Sequence, residues 1–378
     1  MVLPLKNTTM RKFIYLALIA VSAFILVQSC KKSDSGSSGT NSGSTFDRKG
    51  MLTNISTNII IPGYTSYQAA TVSLDASVTA FNASPNSTTL VALQTAFEAT
   101  YKQWQAVSVF EIGPAAQITL RVNTNTYPTD VTQINSNITS GTYTPGLLAN
   151  LAAKGLPALD YLVFGVGADN NAIQVQYTTD ANAAKRKTYL AALSAELKAN
   201  ATTVLTAWNG TYKATFVNAD GTDVGSSLGL LTNQLVYDYE TLKNFEIGIP
   251  AGEQSIGTTY PQKVQAYYSK ISLQLALLHI QAIQNIYLGQ KGLGFDDYLI
   301  SANAKYNGGS LNDAITSQFT TAIAKLQTLT DPLSANIISN NTAVTATYTE
   351  LQKLTVLLKT DMTSSLGILI TYGDNDGD

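Results

Sequence analysis

Apolar residues along this chain return mostly at steps of three and four, the period of a helix with one buried face. The clearest run is Leu90, Leu93, Phe97, Tyr101, Trp104 and Ser108. Asn86 or Ser87 stands where an N-cap belongs, and Gly113-Pro114 is a stop signal, so the pattern predicts a helix ending near Ile112. Upstream, mixed spacing interrupted by Pro62-Gly63 predicts helices over 47–60 and 63–82. Further on, 180–208 reads as one long helix. Leu228, Leu231, Leu235, Leu242 and Phe245 form a face that stops at Gly248 and Pro250. Helical patterns over 260–288, 296–304, 310–330 and 342–367 complete the set, and 166–177 reads as a loop. Residues 113–146, rich in Thr, Asn, Pro and Gly, predict a long loop with one short helix near 130–138; loops of that length inside compact domains tend to carry function. Strand-like alternation is confined to fragments, so the fold class is all-α.

Two stretches recur. Gly155-Leu156-Pro157-Ala158-Leu159-Asp160-Tyr161-Leu162 returns, weakened, as Gly292-Leu293-Gly294-Phe295-Asp296-Asp297-Tyr298-Leu299, 137 residues on. Phe110-Glu111-Ile112-Gly113 returns as Phe245-Glu246-Ile247-Gly248, 135 residues on. Two echoes at nearly one offset predict a duplicated helical bundle, in two four-helix-bundle-like halves over 46–208 and 209–378. Pro157 would kink a helix interior, so the first stretch is expected to start a helix near Leu156, with proline in its first turn, and to end at Gly165.

Composition narrows the function. The chain has 378 residues, 23 Lys+Arg against 25 Asp+Glu, and a formal net charge of −2, without the basic excess of a nucleic-acid binder. Charged residues make up only 13%, so each one in a recurring motif carries weight. The one cysteine, Cys30, permits no internal disulfide, and its position is informative. Arg11-Lys12 leads into an apolar run over 13–27, too short for a comfortable membrane span, followed by Val27-Gln28-Ser29-Cys30. An apolar residue and then a small one before cysteine match a bacterial lipobox, which predicts a signal peptide over 1–29 and lipidation of Cys30. Residues 30–45, Ser/Gly-rich, form a flexible tether.

The chemistry on offer is mostly carboxylate. His279 is the single histidine, set among apolar neighbours, which excludes a His-Glu-x-x-His zinc site and leaves any Ser–His or Cys–His pair one candidate base. Its plainer reading is a satisfied core residue. Glu111, Asp160, Glu246, Asp296 and Asp297 are the acids inside the echoes. Glu111 and Glu246 fall at predicted helix C-termini, where an acid opposes the helix dipole, so each needs compensation from a backbone N–H, an arginine such as Arg121, or a metal. The acids can equally be structural, bonded to loop backbone. The tail 374–378 alternates oxygen ligands like the start of a calcium loop but lacks the distant glutamate, so it reads as a frayed acidic end.

With Trp104 to Pro114, Gly155-x-x-x-x-Asp160-Tyr161-Leu162 and the lipobox in hand, the chain resembles the imelysin-like family, of the lipoprotein type found in Bacteroidetes, over 47–378. The resemblance implies two four-helix bundles with a site between them, a family name taken from peptidase activity, and an association with iron uptake. The family signature is Gly-x-His-x-x-Glu. Gly155 matches its glycine, Pro157 stands at the histidine position, and Asp160 stands at the glutamate position. Loss of the histidine removes a ligand and a base, so the resemblance carries fold and location better than catalysis.

The expected function is therefore a non-catalytic, lipid-anchored envelope protein on the periplasmic or surface face of the outer membrane, binding a metal, a metal chelate or an envelope partner in iron-related uptake. The alternatives are a carboxylate-based metallopeptidase and a docking module using 113–146. The expected binding residues, in a cleft between the halves, are Glu111, Arg121, Asp160, Tyr161, Glu246 and Asp297. Asp160 is the candidate metal ligand, with iron or another divalent ion as the candidate cofactor.

Overall fold

The computed structural model describes residues 46–373; the expected signal peptide, Cys30, the expected tether and the tail 374–378 lie outside them. The described residues are almost entirely helical, with one two-stranded hairpin of Lys305–Tyr306 and Gly309–Ser310. Seven long helices carry the fold: α1 (Ile61–Ala83), α2 (Ser87–Trp104), α3 (Ala183–Ala207), α4 (Ser227–Thr241), α5 (Ser272–Tyr287), α6 (Leu311–Gln327) and α7 (Asn341–Val356). α1 packs against both α2 and α3, whereas α6 packs against α5 and α7, with α4 against α5 and α7. Their buried faces merge into one apolar cluster that holds Trp104, Trp208, Phe97, Tyr239, Ile280 and Leu354. No helix among the described residues is long and apolar enough to cross a membrane.

Local signals explain many boundaries. Asn86 caps α2 by accepting from Thr89 N, while the Thr89 hydroxyl accepts from Asn86 N, a reciprocal capping box. The helix Gly155–Asp160 opens with Pro157 in its first turn and continues as a π-turn to Gly165. Gly155 has φ +70°, and a Cβ there would lie 2.3 Å from the Thr124 carbonyl oxygen, so backbone conformation and close approach both require glycine.

Other expectations are corrected. Pro62-Gly63 does not interrupt: Arg48–Ile55 runs through a π-turn, Ser56–Ile60, straight into α1. A π-turn next to a proline relieves the clash and the lost donor that would break a regular helix. α2 stops at Trp104 rather than near Ile112, and 105–109 coils in tight turns whose Ser108 carbonyl is taken by the Arg121 guanidinium. The 113–146 segment holds three short helices, Pro114–Gln117, Leu120–Thr124 and Val131–Ser140, not one. A helix, Asn170–Thr178, replaces the expected loop at 166–177; Asp169 caps it, and Ile173 and Tyr177 bury one short face.

The 260–288 helix begins only at Ser272. Before it, Asp160 takes the N–H groups of Tyr268 and Ser269 that would otherwise bond along a helix. Asp331, distant in sequence, then accepts from Leu273 N and Gln274 N at the start of α5. Near residue 208 the chain stays helical through the π-turn Trp208–Tyr212, kinked at Gly210, into Lys213–Asn218.

Candidate functional site

At the heart of the fold α4 and α5 put charges on apolar faces. Asp238 follows Leu235 by three residues and precedes Leu242 by four, so it occupies a core position. His279 does the same between Ala276 and Ile283. A buried unpaired charge is expensive, so these must meet. His279 Nε2 lies 2.7 Å from Asp238 Oδ2, and Nδ1 lies 2.9 Å from Glu246 Oε1, with all three groups almost fully buried.

Burial alone would lower the His279 pKa, but the two carboxylates overcome it and raise it to about 10. The ring is therefore an imidazolium that donates from both nitrogens. Burial would raise Asp238, yet His279 and Arg121 hold it below the usual carboxylate range.

The 113–146 segment closes this cluster. Arg121 lies over the Tyr237 ring at 5.0 Å, sets its Nε 3.4 Å from Asp238 Oδ1, and donates from Nη2 to Gln234 Oε1 at 2.9 Å. Its backbone N–H donates to Glu111 Oε2 at 2.9 Å. Burial raises the Glu111 pKa, against the pull of Arg121. Ser108 Oγ donates to Asp238 Oδ2 at 2.9 Å and sits 3.3 Å from His279 Nε2.

Ser108, His279 and Glu246 stand in the order nucleophile, imidazole, acid, but that imidazole already carries both protons. It cannot take one from Ser108, and it offers no lone pair to a metal. Among the described residues, no three His, Cys, Asp or Glu side chains converge as a metal site.

Asp160 marks a second region. Its carboxylate accepts from Tyr268 N at 2.8 Å and Ser269 N at 2.9 Å. Burial raises its pKa to about 6 against those hydrogen bonds. It forms one wall of a cavity of about 150 Å³ with Tyr127, Thr129, Pro157, Tyr267 and Tyr268. Asp160 is the one charged residue in that lining. Tyr161 lies alongside, its ring 5.2 Å from that of Tyr268.

The structure thus gathers Glu111, Arg121 and Glu246 at the ion cluster and puts Asp160 in the cavity wall, with Tyr161 packed against Tyr268 but outside the lining. Asp297 joins neither: it accepts from Gly294 N at 3.1 Å at the start of its own helix, Phe295–Ser301. Sequence reading missed Asp238, although an acid on the Leu231–Leu235–Leu242 face was a visible signal. It also missed Ser108, Tyr127 and Tyr268, whose roles depend on contacts distant in sequence.

Four matches to known proteins bear on the fold and the family. A curated relative, iron-regulated protein A of Synechococcus elongatus, is 20% identical over 291 residues, covering 74% of this chain and 76% of its own. A crystal structure named for an iron-regulated protein A precursor of Parabacteroides distasonis superposes with a TM-score of 0.70 at 15% identity, over 88% of this chain and 98% of that one. An imelysin-like protein of Psychrobacter arcticum gives a TM-score of 0.66 at 17% identity, over 86% and 97%. At these identities the solved structures establish the fold. The family profile named Imelysin matches residues 60–360, most of the chain, and on that match this protein belongs to the imelysin family.

Proposed function

We propose that this protein is a non-catalytic, lipid-anchored member of its family that binds an iron species at the cavity beside Asp160. The observation that carries the reading is what stands where the family signature places a histidine and a carboxylate. Pro157 and Asp160 line the cavity, and the chain's single histidine is held elsewhere as an imidazolium. A hydrolytic site needs a base or a metal-activated water. Asp160 is the only charged group in the cavity wall, and both its oxygens already hold backbone N–H groups. A negative, tyrosine-lined recess suits capture of a cation or its chelate better than turnover. The iron-regulated names of the relatives support the physiological setting.

Calorimetric titration with ferrous chloride under anaerobic conditions, zinc chloride and calcium chloride tests the binding. Binding of the iron species that weakens at least tenfold in Asp160→Ala is the expected result. No heat with any of the three, or hydrolysis of a peptide substrate that Asp160→Ala abolishes, would overturn it. Mass spectrometry of the mature N-terminus tests the anchor, with a diacylglyceryl adduct on Cys30 expected and its absence counting against lipidation.

A further inference from the structure

Tyr237, Thr241 and Phe245 step by four along α4 and the π-turn that extends it, so they stand in one row. Arg121, Val122, Asn125 and Thr126 share one face of Leu120–Thr124 and the turn after it. The two rows, joined by Tyr127, line one open recess of about 210 Å³. Tyr127 is the one residue it shares with the lining of the cavity beside Asp160.

The recess has an apolar, aromatic wall. Val122, Tyr237 and Phe245 are each between 38% and 43% exposed. One such side chain on a surface is ordinary, but three around one recess form a patch of the kind that marks a binding site. The wall is also held in place. The Tyr237 ring is covered by the Arg121 guanidinium at 5.0 Å and met edge-on by the Tyr372 ring at 5.3 Å. Rings fixed in this way suit a planar aromatic guest.

The polar atoms of the lining specify what that guest carries. Arg121 commits Nε and Nη2 to the Ser108 carbonyl and Gln234, whereas Nη1 donates to no described residue and is open to solvent. Asn125 gives Oδ1 to the Tyr101 hydroxyl, and its Nδ2 likewise has no acceptor and is open to solvent. The Thr126 and Thr241 hydroxyls donate to the carbonyls of Val122 and Tyr237. Two donors are left over, and no carboxylate in the lining takes them. Asp238 and Glu111 engage Arg121 elsewhere, at Nε and at the backbone N–H. Arg121 is the one charged residue in the lining, and an ionised acceptor makes the stronger hydrogen bond to it.

We propose that this recess is a second binding site, for planar aromatic carboxylates. The ring packs on Tyr237 and Phe245, and the carboxylate accepts from Arg121 Nη1 and Asn125 Nδ2. The proposal does not depend on what fills the cavity beside Asp160.

Calorimetric titration of the protein with naphthoate, its neutral counterpart naphthylmethanol, and octanoate tests it. Naphthoate is expected to bind about fivefold or more tightly than either of the others, which lack the charge or the rings. Val122→Glu sets a carboxylate at the rim; it should weaken naphthoate roughly tenfold and leave naphthylmethanol within about twofold. Phe245→Ala should weaken both aromatic probes about threefold or more. Both substitutions are at partly exposed positions, and thermal unfolding checks that each variant folds. No binding of naphthoate, equal affinity for all three probes, or native naphthoate affinity in the folded variants would overturn the proposal.

Discussion

Phe110-Glu111-Ile112-Gly113 and Phe245-Glu246-Ile247-Gly248 carry the same four residues and bury opposite members. Phe110 is fully buried while Glu111 is half-buried; Phe245 is 42% exposed while Glu246 is 3% exposed. The isoleucine is buried in both. The first segment lies in turns after α2 has ended, and Gly113 leaves it with φ +49°. The second lies within the π-turn Leu242–Gly248 that extends α4. A π-turn adds a residue to the helical circuit, so every later side chain rotates relative to the face that precedes it. That rotation carries Phe245 out and Glu246 in toward His279. Similarity of sequence between two segments thus predicts neither which residue is buried nor what it meets.

The second pair makes the same point. Asp160 reaches across to the backbone of Tyr268 and Ser269, whereas Asp297 caps its own helix. Tyr161 leans on Tyr268, whereas Tyr298 stacks on Phe46 with ring centroids 4.5 Å apart.

Several substitutions would break or sharpen this contrast. The largest effect belongs to the ion cluster. Removing the counter-charge in His279→Ala should cost about 3–5 kcal/mol of unfolding free energy, because two carboxylates stay buried. Glu246→Gln should cost about 3 kcal/mol and Glu111→Gln about 1 kcal/mol, read from urea midpoints at constant slope. Equal losses for the two glutamates would erase the distinction between the segments.

The same cluster sets a pH dependence. His279 is raised from 6.5 to about 10 on folding, so its contribution is complete below about pH 6.5 and is lost as pH rises through 10. Stability measured between pH 7 and 10 should fall in the native protein and stay flatter in His279→Gln.

Next come the glycines that end each segment. A Cβ on Gly113 would lie 1.9 Å from Tyr212 Cζ, at a backbone angle that side chains rarely adopt. Gly113→Ala should therefore lose about 1–3 kcal/mol. Gly248 is helical, with φ −65°, so its backbone suits any side chain, but a Cβ there would lie 2.8 Å from the Tyr348 ring and 3.0 Å from the Lys243 carbonyl oxygen; helix propensity offsets part of that crowding, and Gly248→Ala should lose about 1 kcal/mol, less than Gly113→Ala. Thermal melts of the two variants compare them directly.

The smallest contrast is between the aspartates. Asp160→Asn leaves one acceptor for two N–H groups and should cost about 1–2 kcal/mol, whereas Asp297→Asn, still able to accept from Gly294, should cost a few tenths. Asp160 is raised from 3.8 to about 6, so its protonated form favours the fold. That contribution is complete below about pH 3.8 and lost as pH rises through 6, a slope that Asp160→Asn should remove.

Much of this was legible before any coordinates. The helical period, the Asn86 cap, the early proline at Pro157 and the lone histidine are local properties. They follow from propensity, capping chemistry and counting, which need no knowledge of the rest of the chain. Asp238 was legible in principle, as an acid on an apolar stripe. The late start of α5 was not, because it depends on Asp160 and Asp331 taking N–H groups far away in sequence.

By itself, the sequence determined an all-helical chain, a family-type motif with proline in place of histidine, and a set of scarce charges worth following. Only the tertiary structure decided which charges are partners. It brought Asp238, Glu246 and His279 together from three places in the chain and left Asp297 at its own helix end. The physical reason is that helix formation is specified over a few neighbouring residues. Pairing of buried charges is specified by which faces pack, and the π-turns shift those faces by one residue at a time.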